Sequence, residues 1–471
     1  MKTECTKLRT DFQPLGKREI VADFDGGAIT SDGGALLLRE IEQRTAILKR
    51  FATCFTDYRD PKRLEHDVLS LVSQRVFGLA LGYGDLNDHD ELSKDKMLAV
   101  AIGKTDPTGN TRKSDKDKGR PLAGKSTLNR LKLTPADASK KSAYKKITLV
   151  QESVDKLLVD VFLESYSEIP AQIILDVDAT DDPLHGNQEG RFFHGYYKAY
   201  CYLPLYIFAG EHLLCARLRT ASNDAAAGTV EELSPIVERI RNKWPETRIV
   251  VRGDSGFCRE ELMCWCEDHD VGYVLGVAKN NHLKMEIAEE MTLAKAVYQC
   301  SDAASRVFKD FCYSTLNTWR WHRRVIGKAE HLSKGENPRF IVTSFTKEEY
   351  EAQELYEKVY CARGDMENRI KEQQLMLFAA RTSTSKMRSN QIRLYLSSIA
   401  YVLIQALRRL GLAGTEMAKA QCNTIRTKLL KIGARLRITV RKVWVSLAEG
   451  YPYKEIFDKT MRRLSQLPIR V

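Results

Sequence analysis

Asp176, Asp178, Asp181 and Asp182 stand within seven residues at the end of an apolar run, Ile173-Ile-Leu-Asp-Val-Asp-Ala-Thr180. A short run of β-formers closed by acidic residues and Pro183 predicts a buried strand whose polar end opens at the surface. A second run of this kind, Arg248-Ile-Val-Val-Arg-Gly-Asp254-Ser-Gly, delivers Asp254. A third acid, Glu367, lies in Tyr360-Cys-Ala-Arg363-Gly-Asp-Met-Glu367-Asn-Arg-Ile-Lys371, which reads as helix. Carboxylates on two strand ends and one helix can converge on a point and hold divalent metal. Without metal they repel and raise one another's pKa. Asp176 and Asp178 fall on the same face of their strand, so alternation alone does not separate them as first acid.

The elements that must position these acids follow from pattern. From Gln172 onward the chain reads as α/β. Residues 196–208 and 213–219 form strands joined at Gly210-Glu-His, and a helix over 225–243 carries Val230, Leu233, Ile236, Val237 and Ile240 on one face. The Asp254 strand, a helix over Glu260–Glu267 and a strand from Gly272 come next. Strands in a meander followed by alternating helix and strand predict a mixed sheet flanked by helices, the order of a ribonuclease H-like domain. Alternation stops after Ala278. The strand-like stretches Val307-Phe-Lys-Asp-Phe-Cys-Tyr, Trp319-Arg-Trp-His-Arg-Arg-Val-Ile and Arg339-Phe-Ile-Val-Thr-Ser-Phe read as a β-rich insertion, and a long helix over 347–380 carries Glu367.

This organisation predicts a mainly helical region over 1–150 with a flexible basic loop at 104–125. A catalytic domain over 151–278 and 346–410 is interrupted by the insertion 279–345, and 411–471 forms a basic helical C-terminal region. The 471 residues carry 74 Lys+Arg against 62 Asp+Glu, and a net charge of +12 suits a polyanionic partner. No apolar run reaches transmembrane length and the first residues lack the apolar core of a signal peptide, so the expected location is the cytoplasm. The 11 cysteines are scattered without a C-x-x-C pair and are expected as reduced thiols. Cys258, Cys264, Cys266 and His269 are close in sequence, but their spacing does not match a usual zinc site, and they read as part of a core helix. Gly124-Lys-Ser-Thr, with Gly119 before it, has P-loop spacing but no preceding strand, which excludes a nucleotide site.

With these pieces in place the chain resembles a DDE transposase of a bacterial insertion sequence, more closely the thirteen-eighty group, in the branch with a β-strand insertion. The resemblance rests on Asp178-Ala-Thr180-Asp-Asp-Pro-Leu-His-Gly, on Arg252-Gly-Asp254-Ser-Gly-Phe and on Tyr360-x-x-Arg363-x-x-x-Glu367, and spans most of residues 20–410. It implies that Asp178, Asp254 and Glu367 hold two Mg²⁺ ions, with Mn²⁺ as a substitute. Asp178 is preferred over Asp176 because the family's acid directly precedes the Thr-containing turn. The branch's tyrosine, arginine, glutamate, lysine helix motif departs here at its last member: Gln374 stands at the lysine position, leaving Lys371 as the substitute. The resemblance further implies DNA contacts by Tyr360, Arg363 and Lys371, and base stacking by an aromatic at Trp319 or Trp321.

The function implied is cut-and-paste transposition on double-stranded DNA: binding of terminal inverted repeats, cleavage of the ends and joining to target DNA, with a homodimer in the synaptic complex. The alternatives are a ribonuclease H-like nuclease that cuts without strand transfer, and a non-catalytic DNA-binding protein derived from a transposase. The N-terminal module is the first candidate for end recognition, and the basic tail for dimer contact or phosphate binding.

Overall fold

A computed structural model describes residues 10–470 of the chain, which divide into two compact units. One unit comprises the described residues up to Ala46, Asp60–Asn129 and Ala406 onward; the other comprises Ile47–Arg59 and Arg130–Gln405.

The second unit is built on one large sheet. Its strands are β1 (Gln172–Ala179), β2 (Leu205–Ala209), β3 (His212–Arg217), β4 (Arg248–Gly253), β5 (Gly272–Val277), β6 (Ser305–Tyr313), β7 (Arg323–Leu332) and β8 (Arg339–Thr343). The order across the sheet is β3-β2-β1-β4-β5-β8-β7-β6, with Gly335–Glu336 pairing beside β7. β1, β4 and β5 run parallel, whereas β2 and β3 are antiparallel to their neighbours. The order three-two-one-four-five over the first five strands is that of a ribonuclease H-like mixed sheet, as expected. Helices α1 (Gln151–Leu163), α2 (Thr229–Lys243) and α3 (Glu260–Asp268) complete this part.

Alternation along the strands assigns the two faces. Ile173, Leu175 and Val177 of β1 pack with Phe162, Leu233, Ile240, Leu262 and Cys266 into the larger core. Ile174 points the other way, where Val250, Val274 and Ile326 pack against Leu355, Tyr356 and Val359. Those last three begin a continuous helical run over 352–376. It has π turns at Leu355–Tyr360 and Glu372–Met376, a tight 3₁₀ turn at Cys361–Arg363, and a regular segment α4 at Gly364–Lys371. π turns re-aim the side chains that follow them and recur at functional sites. Asp176, Asp178 and Arg252 share the face of Ile174 and Val250, the face this helix covers.

Four regions differ from expectation. The insertion does not start as strand: residues 281–301 are helical, with Ile287, Met291 and Ala294 buried at helical spacing. Strands β6 to β8 then extend the same sheet. Trp319 and Trp321 lie in a loop before β7, organised by Thr315 Oγ1, which accepts from the Trp319 amide at 2.8 Å, and by Glu260, which accepts from the Arg320 amide at 2.8 Å. In the first unit, residues 434–447 form a β-hairpin in a region expected to be helical, because Arg-Leu-Arg-Ile and Val-Trp-Val-Ser-Leu alternate with strand period. The basic loop 104–125 has little regular structure but is pinned: the Asp106 carboxylate accepts the Thr108, Gly109 and Thr111 amides, and Arg112 pairs with Glu65 at 2.9 Å. Composition favours an open loop; these local carboxylate bonds close it.

Candidate active site

Register across β1 and β4 sets the first two acids side by side. In this parallel pair Asp176 lies opposite Arg252 and Val177 opposite Gly253, so Asp178 and Asp254 follow as the next positions at the carboxyl ends of adjacent strands. Such ends, in open sheets of parallel strands, are where ligands bind. The Asp254 turn is tight: Oδ1 accepts from the Gly256 amide at 2.8 Å. Asp178 Oδ1 accepts from the Ala179 amide, also at 2.8 Å. Each carboxylate is oriented by backbone and keeps its other oxygen for the cleft.

The helix supplies the rest. Asp178, Asp254 and Glu367 line one open cleft of about 520 Å³, together with Arg363, Lys371, Gln374, His194, Tyr196 and Tyr197. Arg363 lies between two of the acids, with Nη1 3.7 Å from Asp178 Oδ2 and Nη2 donating to Glu367 Oε1 at 3.1 Å. The Asp178 carboxyl is pushed up to about 7, chiefly by burial; Arg363 pulls against this, and Asp254 and Glu367 add to it. Tyr360 is not at the cleft wall. It lies beneath the Asp254 turn, where burial raises its hydroxyl's pKa. A Cβ added at Gly276 would stand 2.6 Å from its Oη and 2.9 Å from the Ser255 amide nitrogen. Gly276 thus permits β5, the Asp254 turn and Tyr360 to meet.

Asp176 does other work. It is 4% exposed, and Arg252 grips it with Nε at 2.5 Å and Nη2 at 2.8 Å. Arg252 also donates to the Val359 carbonyl and so ties β4 to the helix. Of the two candidates for first acid, Asp178 is the one at the cleft. Lys371 lines the cleft and is exposed, while Gln374 donates to the Asp181 carbonyl at 2.9 Å, bridging the helix to the segment after β1. Neither tryptophan lines the cleft. Trp319 packs edge-on to Tyr313 beneath Arg323, and Trp321 is exposed. Sequence reasoning passed over Tyr196 and Tyr197 and gave His194 a structural part. The aromatic density of Phe192-Phe-His-Gly-Tyr-Tyr beside a glycine is the signal that marks this rim.

Whether the acids suit divalent metal can be judged from their chemistry. Two aspartates and a glutamate present hard oxygen donors to one cleft, the set that Mg²⁺ or Mn²⁺ prefers. Among the described residues no three such side chains stand as a ready ligand cluster. The Arg363 guanidinium holds the charge between Asp178 and Glu367 instead, and Glu367, paired with it, is about half exposed. The donor set fits the ions, with Arg363 as the group they would displace.

A family model described as "Transposase DDE domain group 1" matches residues 12–469. No curated protein matches the chain in sequence. Among solved structures it is similar to a "piggyBac transposase synaptic complex with hairpin DNA", at 11% identity and a TM-score of 0.39, over 93% of this chain and 83% of that one.

Proposed function

The chain belongs to the transposase DDE domain group 1 family, and on that premise we propose that it moves its own insertion sequence by cutting at the terminal inverted repeats and joining the ends to target DNA. The observation that carries this reading is the meeting of Asp178, Asp254 and Glu367, from two strand ends and a helix, in one cleft. The Tyr360, Arg363 and Glu367 spacing supports placing the chain in the thirteen-eighty group.

In this reading Asp178, Asp254 and Glu367 hold two divalent ions, which supply stabilisation of charge on the entering and leaving oxygens of phosphodiester exchange. The protein's own part is positional. β1 and β4 present Asp178 and Asp254 with their orientations set by the Ala179 and Gly256 amides. Arg363, released from Glu367, is placed to bind a phosphate of the scissile strand through its planar donors. Lys371 stands at the rim as a further phosphate contact, Tyr360 supports the Asp254 turn from behind, and Trp321 offers an exposed ring to an unstacked base. Two ends brought together require a homodimer in the synaptic complex, acting on DNA in the bacterial cytoplasm.

The test uses linear DNA carrying both ends that flank the coding sequence, a target plasmid and Mg²⁺. Joined products are expected with the native protein, and Asp254→Asn is expected to bind the ends without cutting them. Cutting without joined products would replace transposition by nuclease activity. A folded Asp254→Asn variant that still cuts would remove the cleft from the chemistry.

A further inference from the structure

In the first unit, the strands Ala434–Ile438 and Val443–Leu447 form an antiparallel ribbon, with Arg435 opposite Ser446 and Arg437 opposite Trp444. The strand Ala28–Thr30 pairs along its other side, placing Ile29 opposite Arg435. Alternation sends Ala434 and Leu436 inward, where both are buried, and sends Arg435, Arg437, Trp444 and Ile29 to one exposed face. The turn adds Arg441 and Lys442, so residues 435–442 hold four cations and no acid. All four are exposed, and among the described residues none pairs with a carboxylate. Arg437 and Lys442 each lie 5.4 Å from the centroid of the Trp444 ring, one strand apart, which keeps the ribbon's cations together rather than splayed.

The root of the ribbon is rigid. The Gly33 amide donates to the Ile432 carbonyl at 2.9 Å and the Gly34 amide to the Leu430 carbonyl at 3.2 Å. A Cβ at Gly34 would lie 2.0 Å from the Leu429 carbonyl oxygen, so no larger residue allows this approach. Lys431 pairs with buried Asp32 at 2.6 Å, and Tyr83 donates to the same carboxylate at 2.8 Å. A stiff, uncompensated cationic ribbon is prepaid for a polyanion. A second copy facing it would bring like charges together, while duplex DNA meets it with phosphates and with a major groove wide enough for two strands.

We infer that the ribbon 434–447 is a duplex-DNA binding surface, seated along a groove with Arg437, Arg441 and Lys442 on the flanking phosphates. The inference rests on the reading that this protein works on DNA, and adds a site that is separate from the acidic cleft.

The experiment measures anisotropy of a short, labelled, random-sequence duplex with the full-length protein across a salt series, without divalent metal. Each phosphate contact contributes about 0.9 to the slope of log affinity against log salt. The variant Arg437→Ala, Arg441→Ala, Lys442→Ala should therefore lose roughly two to three from that slope, with its melting temperature unchanged. Trp444→Phe should reduce a DNA-induced change in tryptophan emission. If the triple variant does not fold, Arg441→Gln with Lys442→Gln at the exposed turn should lower the slope by roughly two. A wild-type slope in folded variants overturns the inference. So does a fall in self-association with DNA affinity unchanged, which would make the ribbon a contact between copies. This binding assay involves no cleavage, so a failed ribbon leaves the proposed cleavage reading to its own test of joined products.

Discussion

Asp176 and Asp178 sit two residues apart on one face of one strand, yet the protein uses them in opposite ways. Asp176 is sealed against Arg252, which spends both its fork donors on the carboxylate and a third on the Val359 carbonyl. Burial raises both carboxyls, but Asp178 meets its arginine only at 3.7 Å, opens to a cleft, and is pushed up to about 7 with acidic neighbours adding to the burial. The same residue type is satisfied in one place and left wanting in the other. A satisfied carboxylate stabilises a structure, and an unsatisfied one held in place by backbone is available to a ligand.

Substitutions can break this contrast in order of effect. Asp178→Asn should lower end cleavage by roughly 10³-fold or more while the melting temperature stays level or rises, because a repelled charge is removed. Activity assay and calorimetry on the same preparation read both halves, and a large loss of stability would erase the distinction. Asp176→Asn should do the reverse, costing about 3–5 kcal/mol of stability by leaving Arg252 buried without its charge partner. Chemical denaturation checks it, and the loss in cleavage should follow the folded fraction.

Arg363→Ala should reduce cleavage by roughly 10²-fold, the scale of one lost charge-stabilising donor, with stability changed little. Kinetics at saturating DNA separate this from weaker binding. Gly276→Ala should cost about 1–3 kcal/mol by overpacking against Tyr360 and the Ser255 amide. Adding Tyr360→Phe, which removes the hydroxyl at 2.6 Å, should recover part of that loss in a double-mutant cycle. Lys371→Ala has the smallest expected effect, a reduction of about one in the salt slope of end binding.

Much of the second unit was legible in order. The strands of the core announce themselves by short β-branched runs, and the hairpin joined at Gly210 lies where its turn residues put it, with strands Leu205–Ala209 and His212–Arg217. The longer stretch before it breaks at Leu203-Pro204, since proline cannot donate to a ladder. The helix over 281–301 was missed because its apolar residues are spread around it, Leu293 and Val297 exposed while Ile287, Met291 and Ala294 are buried, and its burial comes from β6 and β7, which lie later in the chain. The hairpin 434–447 was hidden by charge: four basic residues suggested a solvated helix and masked the alternation beneath them.

What the sequence determined by itself was local. Residue types and two-residue alternation placed Asp176, Asp178, Arg252 and Asp254 on strand faces, and the four-residue spacing brought Arg363 to Glu367. Tertiary structure decided which aspartate would face the cleft. Alternation sends both to the same side, and the choice falls to what the helix over 352–376 covers: the Val359 carbonyl and Arg252 close over Asp176, while beyond them the sheet ends and Asp178 opens to the space beside Glu367. Periodicity carries no information about how far a neighbouring element extends along a strand, because that extent depends on contacts between residues far apart in sequence.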